Sequence, residues 1–181
     1  RIRAPGQLLS RPMSKRLPSS RPRPSAVNHT LEQAVAALRA QQPAVAERLA
    51  SEVLKANRGN VMAAQVLGEA LLLQDRSAEA IGLLQRSARR SPEPGTETLL
   101  AMALDAAGRG DEALDQWRRA TTRRPVFPLA FLKLGERLGE IGRVDEGIAV
   151  LEEGFALAPD GIGLRVGLGY LHLRRHDRDM A

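Results

Sequence analysis

A ladder of small and aliphatic residues recurs along this chain at a nearly constant step, and a constant step restricts the fold more than any composition does. From Leu100-Ala101 the ladder passes Leu104, Gly108, Ala113, Trp117 and Ala120 and closes on Pro125. Upstream, Leu67-Gly68, Leu71, Ala80, Leu84 and Pro92 repeat it. Downstream, Leu134-Gly135, Leu138, Gly142, Gly147, Leu151, Gly154 and Pro159 repeat it again, and a fourth copy opens at Leu168-Gly169. The small residues Gly68, Ala101, Gly135 and Gly169 stand 33, 34 and 34 positions apart, the short step falling in the turn that holds Pro94 and Gly95. A unit of that length cannot bury its own apolar face, so stacked copies must cover one another.

Each copy carries two apolar stripes of helical period and no alternating strand pattern. The spacing predicts helices over about 61–74 and 77–90, 95–107 and 111–124, 128–140 and 144–157, then 162–175. Pro92, Pro125 and Pro159 end the second helices, because proline cannot continue the hydrogen-bond ladder. Asp111, Asp145 and Asp179 each precede the small residue of a second helix by two, which predicts that they cap its free N–H groups. The small residues at Gly68, Ala101, Gly135 and Gly169 let the two helices of a unit approach closely. Upstream, Thr30 with Gln33 three later fits a capping box, opening a helix to about Gln41; Pro43 opens another to about Asn57. That pair is a degenerate copy, with Arg58 where a closing proline would stand. The expected fold is all-α, a right-handed solenoid of antiparallel helix hairpins: a degenerate capping hairpin over 28–60, units over 61–93, 94–127 and 128–161, and over 162–181 the first helix of a truncated further unit. Asp179-Met180-Ala181 matches the first turn of a second helix, which reads as a fragment of a longer protein.

The formal net charge of +6 suggests nucleic acid until it is located. Residues 1–27 hold seven Arg and Lys and no acid, so the remainder carries −1. This Pro-, Arg- and Ser-rich stretch lacks any period and cannot bury enough surface to fold alone, so it is expected to be a disordered basic tail. It has no apolar core of a secretory signal. No apolar run approaches the roughly 20 residues a membrane span needs. Without cysteine there is no disulfide, thiolate metal site or Cys nucleophile; the compartment stays open, the cytoplasm being favoured.

The order Leu-Gly, Leu, Ala, aromatic, Ala, Pro resembles the tetratricopeptide repeat family over about Asn60 to Ala181, with 28–57 a weaker copy. Leu71, Leu104 and Leu138 stand where that family often has Tyr, and Gly147 and Gly154 where it has Ala, at about 1 kcal/mol each against helix formation, which makes the third unit the softest expected. The resemblance implies that first helices line a concave face that grips a protein or peptide. Carried onto this sequence, the groove positions are Met62, Gln65, Glu69 and Leu72, then Thr98, Met102 and Asp105. The next two units add Leu129, Leu132, Glu136 and Gly139, with Glu140 close by, then Val166, Tyr170 and Leu173. The carboxylate clamp of some relatives is missing, those positions holding Gln65, Glu69, Leu99, Leu129 and Lys133. An apolar lining with a sparse acidic line favours a basic or amphipathic segment.

Other chemistry is thin. His172 and His176 are four apart, but Leu173, Arg174 and Arg175 lie between them and no metal site is expected. Gly161, Gly163 and Gly167 do not fit a nucleotide-binding loop. No catalytic constellation is defensible, so the chain is read as a non-enzymatic interaction scaffold without cofactor. Two alternatives stay open: an accessory module of a larger transferase or oxygenase, and a nucleic-acid-associated protein acting through the tail. The arginines at the ends of the second helices match the helix dipole and read as a solvated face.

Overall fold

The computed structural model describes residues 24–180, and among them every regular element is a helix. In chain order these are α1 (Pro24–Arg39), α2 (Pro43–Ala56), α3 (Val61–Leu72), α4 (Ser77–Arg90), α5 (Pro94–Ala106), α6 (Gly110–Thr122), α7 (Pro128–Glu140), α8 (Val144–Leu157) and α9 (Ile162–Asp179). Starts of α3 to α8 fall within a residue of the predicted ones, while α9 runs further than the sequence suggested.

Four turns show why the hairpins repeat. Gln41, Asp75, Gly108 and Gly142 all take positive φ, at 55°, 56°, 76° and 85°. They stand 34, 33 and 34 residues apart, so the first hairpin is in register with the others despite its degenerate sequence. At each turn the next residue's N–H reaches back to a buried carbonyl: Gln42 to Ala37, Arg76 to Leu71, Arg109 to Leu104 and Arg143 to Leu138. This is the Schellman closure, in which one left-handed residue satisfies the last helical carbonyls. Ala34, fully buried, occupies the place one repeat before Gly68.

Consecutive helices pack on one another, and α1, α3, α5, α7 and α9 also pack in series, α1 on α3 and so on to α9. The even-numbered helices show no comparable series. The odd helices therefore form the inner, tighter layer of a curved stack and the even ones the outer layer. The core is a chain of seams rather than a ball. One cluster joins Ala37 and Leu38 to Val66 and Ala70, a central one gathers Leu84, Leu104, Trp117 and Leu138, and a third holds Phe131, Leu151, Leu164 and Leu171.

Several expectations fail in detail. Helix α1 already runs from Pro24, so the boundary placed after residue 27 lies inside it; the tail over 1–23 falls outside the described residues. Thr30 is not a cap but sits in the second turn, its Oγ1 donating to the Ala26 carbonyl, while Gln33 contacts the His29 ring. The second helices are not capped by aspartate either. Asp111 and Asp145 lie inside the first turn, and the N-cap positions are Arg109 and Arg143. Those arginines, like Arg76, grip the glutamate three residues later with two nitrogens: Arg76–Glu79, Arg109–Glu112 and Arg143–Glu146. Each guanidinium lowers the carboxyl pKa of its glutamate. The anion so held stands at the positive end of the helix dipole, which replaces a side-chain cap with a charge.

Gly147 and Gly154 are not defects. A methyl on Gly147 would stand 2.8 Å from the Gly135 carbonyl, and one on Gly154 would stand 2.6 Å from Phe131 Cβ. The alanines usual at these places would not fit between α7 and α8 as they are packed. The helix-propensity cost is therefore set against a closer seam.

Candidate functional site

Two hollows on the inner layer gather most of the expected groove positions. The first, about 400 Å³, lies where α1, α3 and α5 meet the start of α7. Its walls are apolar: Val35 and Leu38 from α1, Met62 and Val66 from α3, Leu99 from α5 and Leu129 from α7. Met62, one of the sequence-predicted positions here, is 52% exposed. Gln65 is held in place, its Nε2 donating to Thr96 Oγ1 at 3.0 Å. Thr98 lies at the floor but is fully buried, and its hydroxyl donates to the Pro94 carbonyl at 2.7 Å. It shapes the hollow without offering a polar group to a partner.

Glu69 is the charge in this hollow that has no answering cation. No ion pair or side-chain hydrogen bond reaches its carboxylate among the described residues. The residue as a whole is exposed, yet the carboxylate sits among the hollow's apolar walls, and loss of water around it raises its pKa. Desolvation disfavours an ion that nothing compensates. Arg39, from the last turn of α1, lines the same hollow, but the two are not within ion-pair reach.

The second hollow, about 240 Å³, brings together Met102, Asp105, Glu136 and Glu140 against Trp117. Here the expected acidic line is corrected. Arg137 stands 3.1 Å from Asp105 and 3.0 Å from Glu140, and Lys133 stands 2.8 Å from Glu136. All three acids are neutralised by cations of α7, Arg137 and Lys133, of which the sequence named only Lys133, and that as a clamp position. The Arg137 Nε contact with Asp105 is a charge contact and not a well-directed hydrogen bond, and Trp117 Nε1 is buried without a partner.

The remaining predicted positions lie elsewhere. Leu72 packs against the central core and lines neither hollow. Leu132 is half-buried beneath α9, where methyls placed on Gly163 and Gly167 would meet its side chain at 3.1 and 3.0 Å. Val166 and Tyr170 lie on an exposed face of α9, 67% and 54% exposed, with the Arg174 guanidinium 5.9 Å above the tyrosine ring. Beside them, Gly169 faces open space where Gly68 and Gly135 meet Leu84 and Leu151. The His172 Nδ1 lies 3.2 Å from the Arg175 guanidinium.

Val35, Leu38 and Arg39 were missed. The signal was present, since Val35 stands one repeat before Glu69, but the first hairpin's weak motif hid the register. The buried first turn of α5 was missed too: Glu97, 4% exposed, accepts from Arg123 Nη2 at 2.8 Å and from its Nε at 3.1 and 3.2 Å.

The tetratricopeptide repeat family matches residues 31–93 and 98–162. Among solved structures, TTC0263, a thermophilic TPR protein in Thermus thermophilus, is 22% identical with a TM-score of 0.73, covering 82% of each chain. MamA is 21% identical with a TM-score of 0.62, covering 86% of each chain. At such identities the likeness concerns the fold alone. No curated protein matches the sequence.

Proposed function

The chain belongs to the tetratricopeptide repeat family, and from that premise we propose that it is an interaction scaffold whose first inner hollow takes an amphipathic segment of a partner protein by a basic side chain. The observation that carries this reading is the uncompensated Glu69 carboxylate among apolar walls. A lysine or arginine arriving there would pair with an anion already stripped of part of its water, which strengthens the attraction relative to an open surface. Leucine- or methionine-like neighbours on the segment would cover Met62, Leu99 and Leu129. Arg39 at the rim restricts the charge pattern: a uniformly basic helix would meet a like charge, so one cation flanked by apolar residues fits better than a polybasic tract. The second hollow contributes little to selectivity, because its acids are already paired.

The test is fluorescence anisotropy of a labelled peptide carrying one lysine between leucines, with a glutamate-for-lysine control. Glu69→Gln weakens binding of the lysine peptide by about tenfold, while Glu136→Gln leaves it unchanged. Equal affinity of wild type and Glu69→Gln refutes the assignment of the hollow.

A further inference from the structure

The outer layer carries a second charged feature, of opposite sign. Lys55 and Arg89 occupy the same place in successive repeats, and Arg123 stands one place further on in the next, all three at the C-terminal ends of α2, α4 and α6. Around them gather Arg58, Arg86, Arg90, Arg119 and Arg124. Arg123 is committed to Glu97. None of the other seven makes an ion pair with an acid among the described residues.

Two clefts gather these cations from neighbouring elements. One, about 310 Å³, lies between the ends of α2, α3 and α4; Arg58, Arg86 and Arg90 rim it with the Ser87 hydroxyl, over a floor of Leu54 and Leu83, and no acid lines it. The other, about 290 Å³, holds Arg89, Arg119 and Arg123 between α4 and α6. Helix-dipole matching accounts for single cations in a last turn, but not for this convergence. Arg86 lies a full turn inside α4, Arg58 lies outside any helix, and α8 ends with no basic residue in its last turn. The corresponding places on α8 are Ala156 and Leu157, preceded by Glu152 and Glu153. The basic ridge therefore stops after three hairpins rather than following the repeat.

We propose that this ridge docks an extended acidic segment of a partner protein, with the cleft of Arg58, Arg86 and Arg90 as its main carboxylate site. Guanidinium groups pair with carboxylates through two parallel N–H donors, and the aliphatic floor receives the side chains between them. An extended chain advances about 3.3 Å per residue, so carboxylates at every third residue place several acids along the ridge, one for each cluster of cations in turn. Nucleic acid fits it less well. The ridge offers no stacking surface, since Trp117 is buried and the exposed aromatic Tyr170 lies on α9.

The experiment titrates full-length protein, at low and high salt, into three labelled probes. These are a peptide with glutamate at every third position and leucine or serine between, its glutamine analogue, and oligothymidine. The glutamate peptide is expected to bind with steep salt dependence and the analogue not to bind. The triple variant Arg58→Gln, Arg86→Gln, Arg89→Gln spares Arg90, whose Nη1 donates to the Arg58 carbonyl. It should lose about tenfold in affinity, each single variant losing less, and Arg165→Gln on α9 losing nothing. Thermal melts establish that the variants are folded; should the triple variant not fold, the singles decide. Glu69→Gln leaves this binding intact, which separates the ridge from the inner hollow. Absence of saturable binding at low salt, undiminished binding by the folded ridge variants, or tighter binding of oligothymidine than of the peptide overturns the proposal.

Discussion

Gly135 and Gly169 occupy the same place in successive repeats, so alanine at each isolates what the small residue is for. The gain in helix propensity is common to both, about 1 kcal/mol. At Gly135 the new methyl would stand 2.5 Å from Leu151 Cγ, 2.8 Å from its Cδ2 and 3.1 Å from its Cδ1. Leu151 is fully buried in the α7–α8 seam and has little room to move. Forcing a methyl into such a core costs about 1–3 kcal/mol. At Gly169 nothing lies within 4 Å. Gly135→Ala should therefore be neutral to destabilising by about 2 kcal/mol, once the propensity gain is subtracted from the overpacking cost. Gly169→Ala should stabilise α9 by up to about 1 kcal/mol. The difference between the two variants, about 1–3 kcal/mol, is the packing term alone. Urea denaturation followed by circular dichroism reads the first variant. Hydrogen exchange of the α9 amides reads the second, because repeat arrays can lose an end helix before the rest. If both variants raise stability equally, the hairpins are not held by close approach at this position and the account of the seams is wrong.

Three further outcomes follow from named contacts. Leu84→Ala removes a fully buried side chain that packs on Gly68; it should cost about 3 kcal/mol by denaturant titration, and a loss below about 1 kcal/mol would place Leu84 outside the core. Glu97→Gln keeps the shape but withdraws the charge that Arg123 holds, which should cost about 1–3 kcal/mol, read as a lower melting temperature; an unchanged melt would mean that the pair is dispensable. The carboxylates give two opposite pH signatures. For Glu69 the folded pKa is raised by desolvation, so the folded state binds the extra proton and stability falls as pH rises through the carboxylate range. Glu69→Gln should then stabilise the protein at neutral pH and have no effect well below about pH 4, where wild type is protonated in both states. For Glu47, held by hydrogen bonds from Gln74 and then Arg76, and for Glu79, Glu112 and Glu146, held by Arg76, Arg109 and Arg143, the folded pKa is lowered. Their contribution is present above the ordinary carboxylate pKa and is lost as pH falls through the folded value. Comparing melts of wild type and Glu69→Gln across acid and neutral pH separates the two; a Glu69→Gln effect that is the same at both ends contradicts the desolvated carboxylate.

What was legible in the sequence, and what was not, divides along a physical line. Hairpin architecture follows from periodicity, a one-dimensional property. The small residues Gly68, Ala101 and Gly135 and the closing prolines therefore predicted nearly every helix of the stack. Caps were misread because Asp111 and Asp145 have the right residue type at almost the right place, and only the backbone reveals that the caps stand two residues earlier, at Arg109 and Arg143. A two-residue offset exchanges a cap for a first-turn charge. The groove was misread for a different reason. The family pattern assigns lining positions one helix at a time, whereas Arg137 reaches Asp105 across two adjacent inner helices and Lys133 reaches Glu136 within one turn of a single helix. Charge at a site is set by such neighbours, so an acidic line in the sequence became mostly paired acids in space, and Glu69 was left as the distinct one. The same reasoning applies in reverse to the outer layer. Arginines that looked like separate dipole matches on α4 and α6 are gathered by the stacking of hairpins into shared clefts. Their joint field is a property of the assembled repeat rather than of any one helix. In a solenoid the local fold is written within each unit, while the recognition surfaces are written between units.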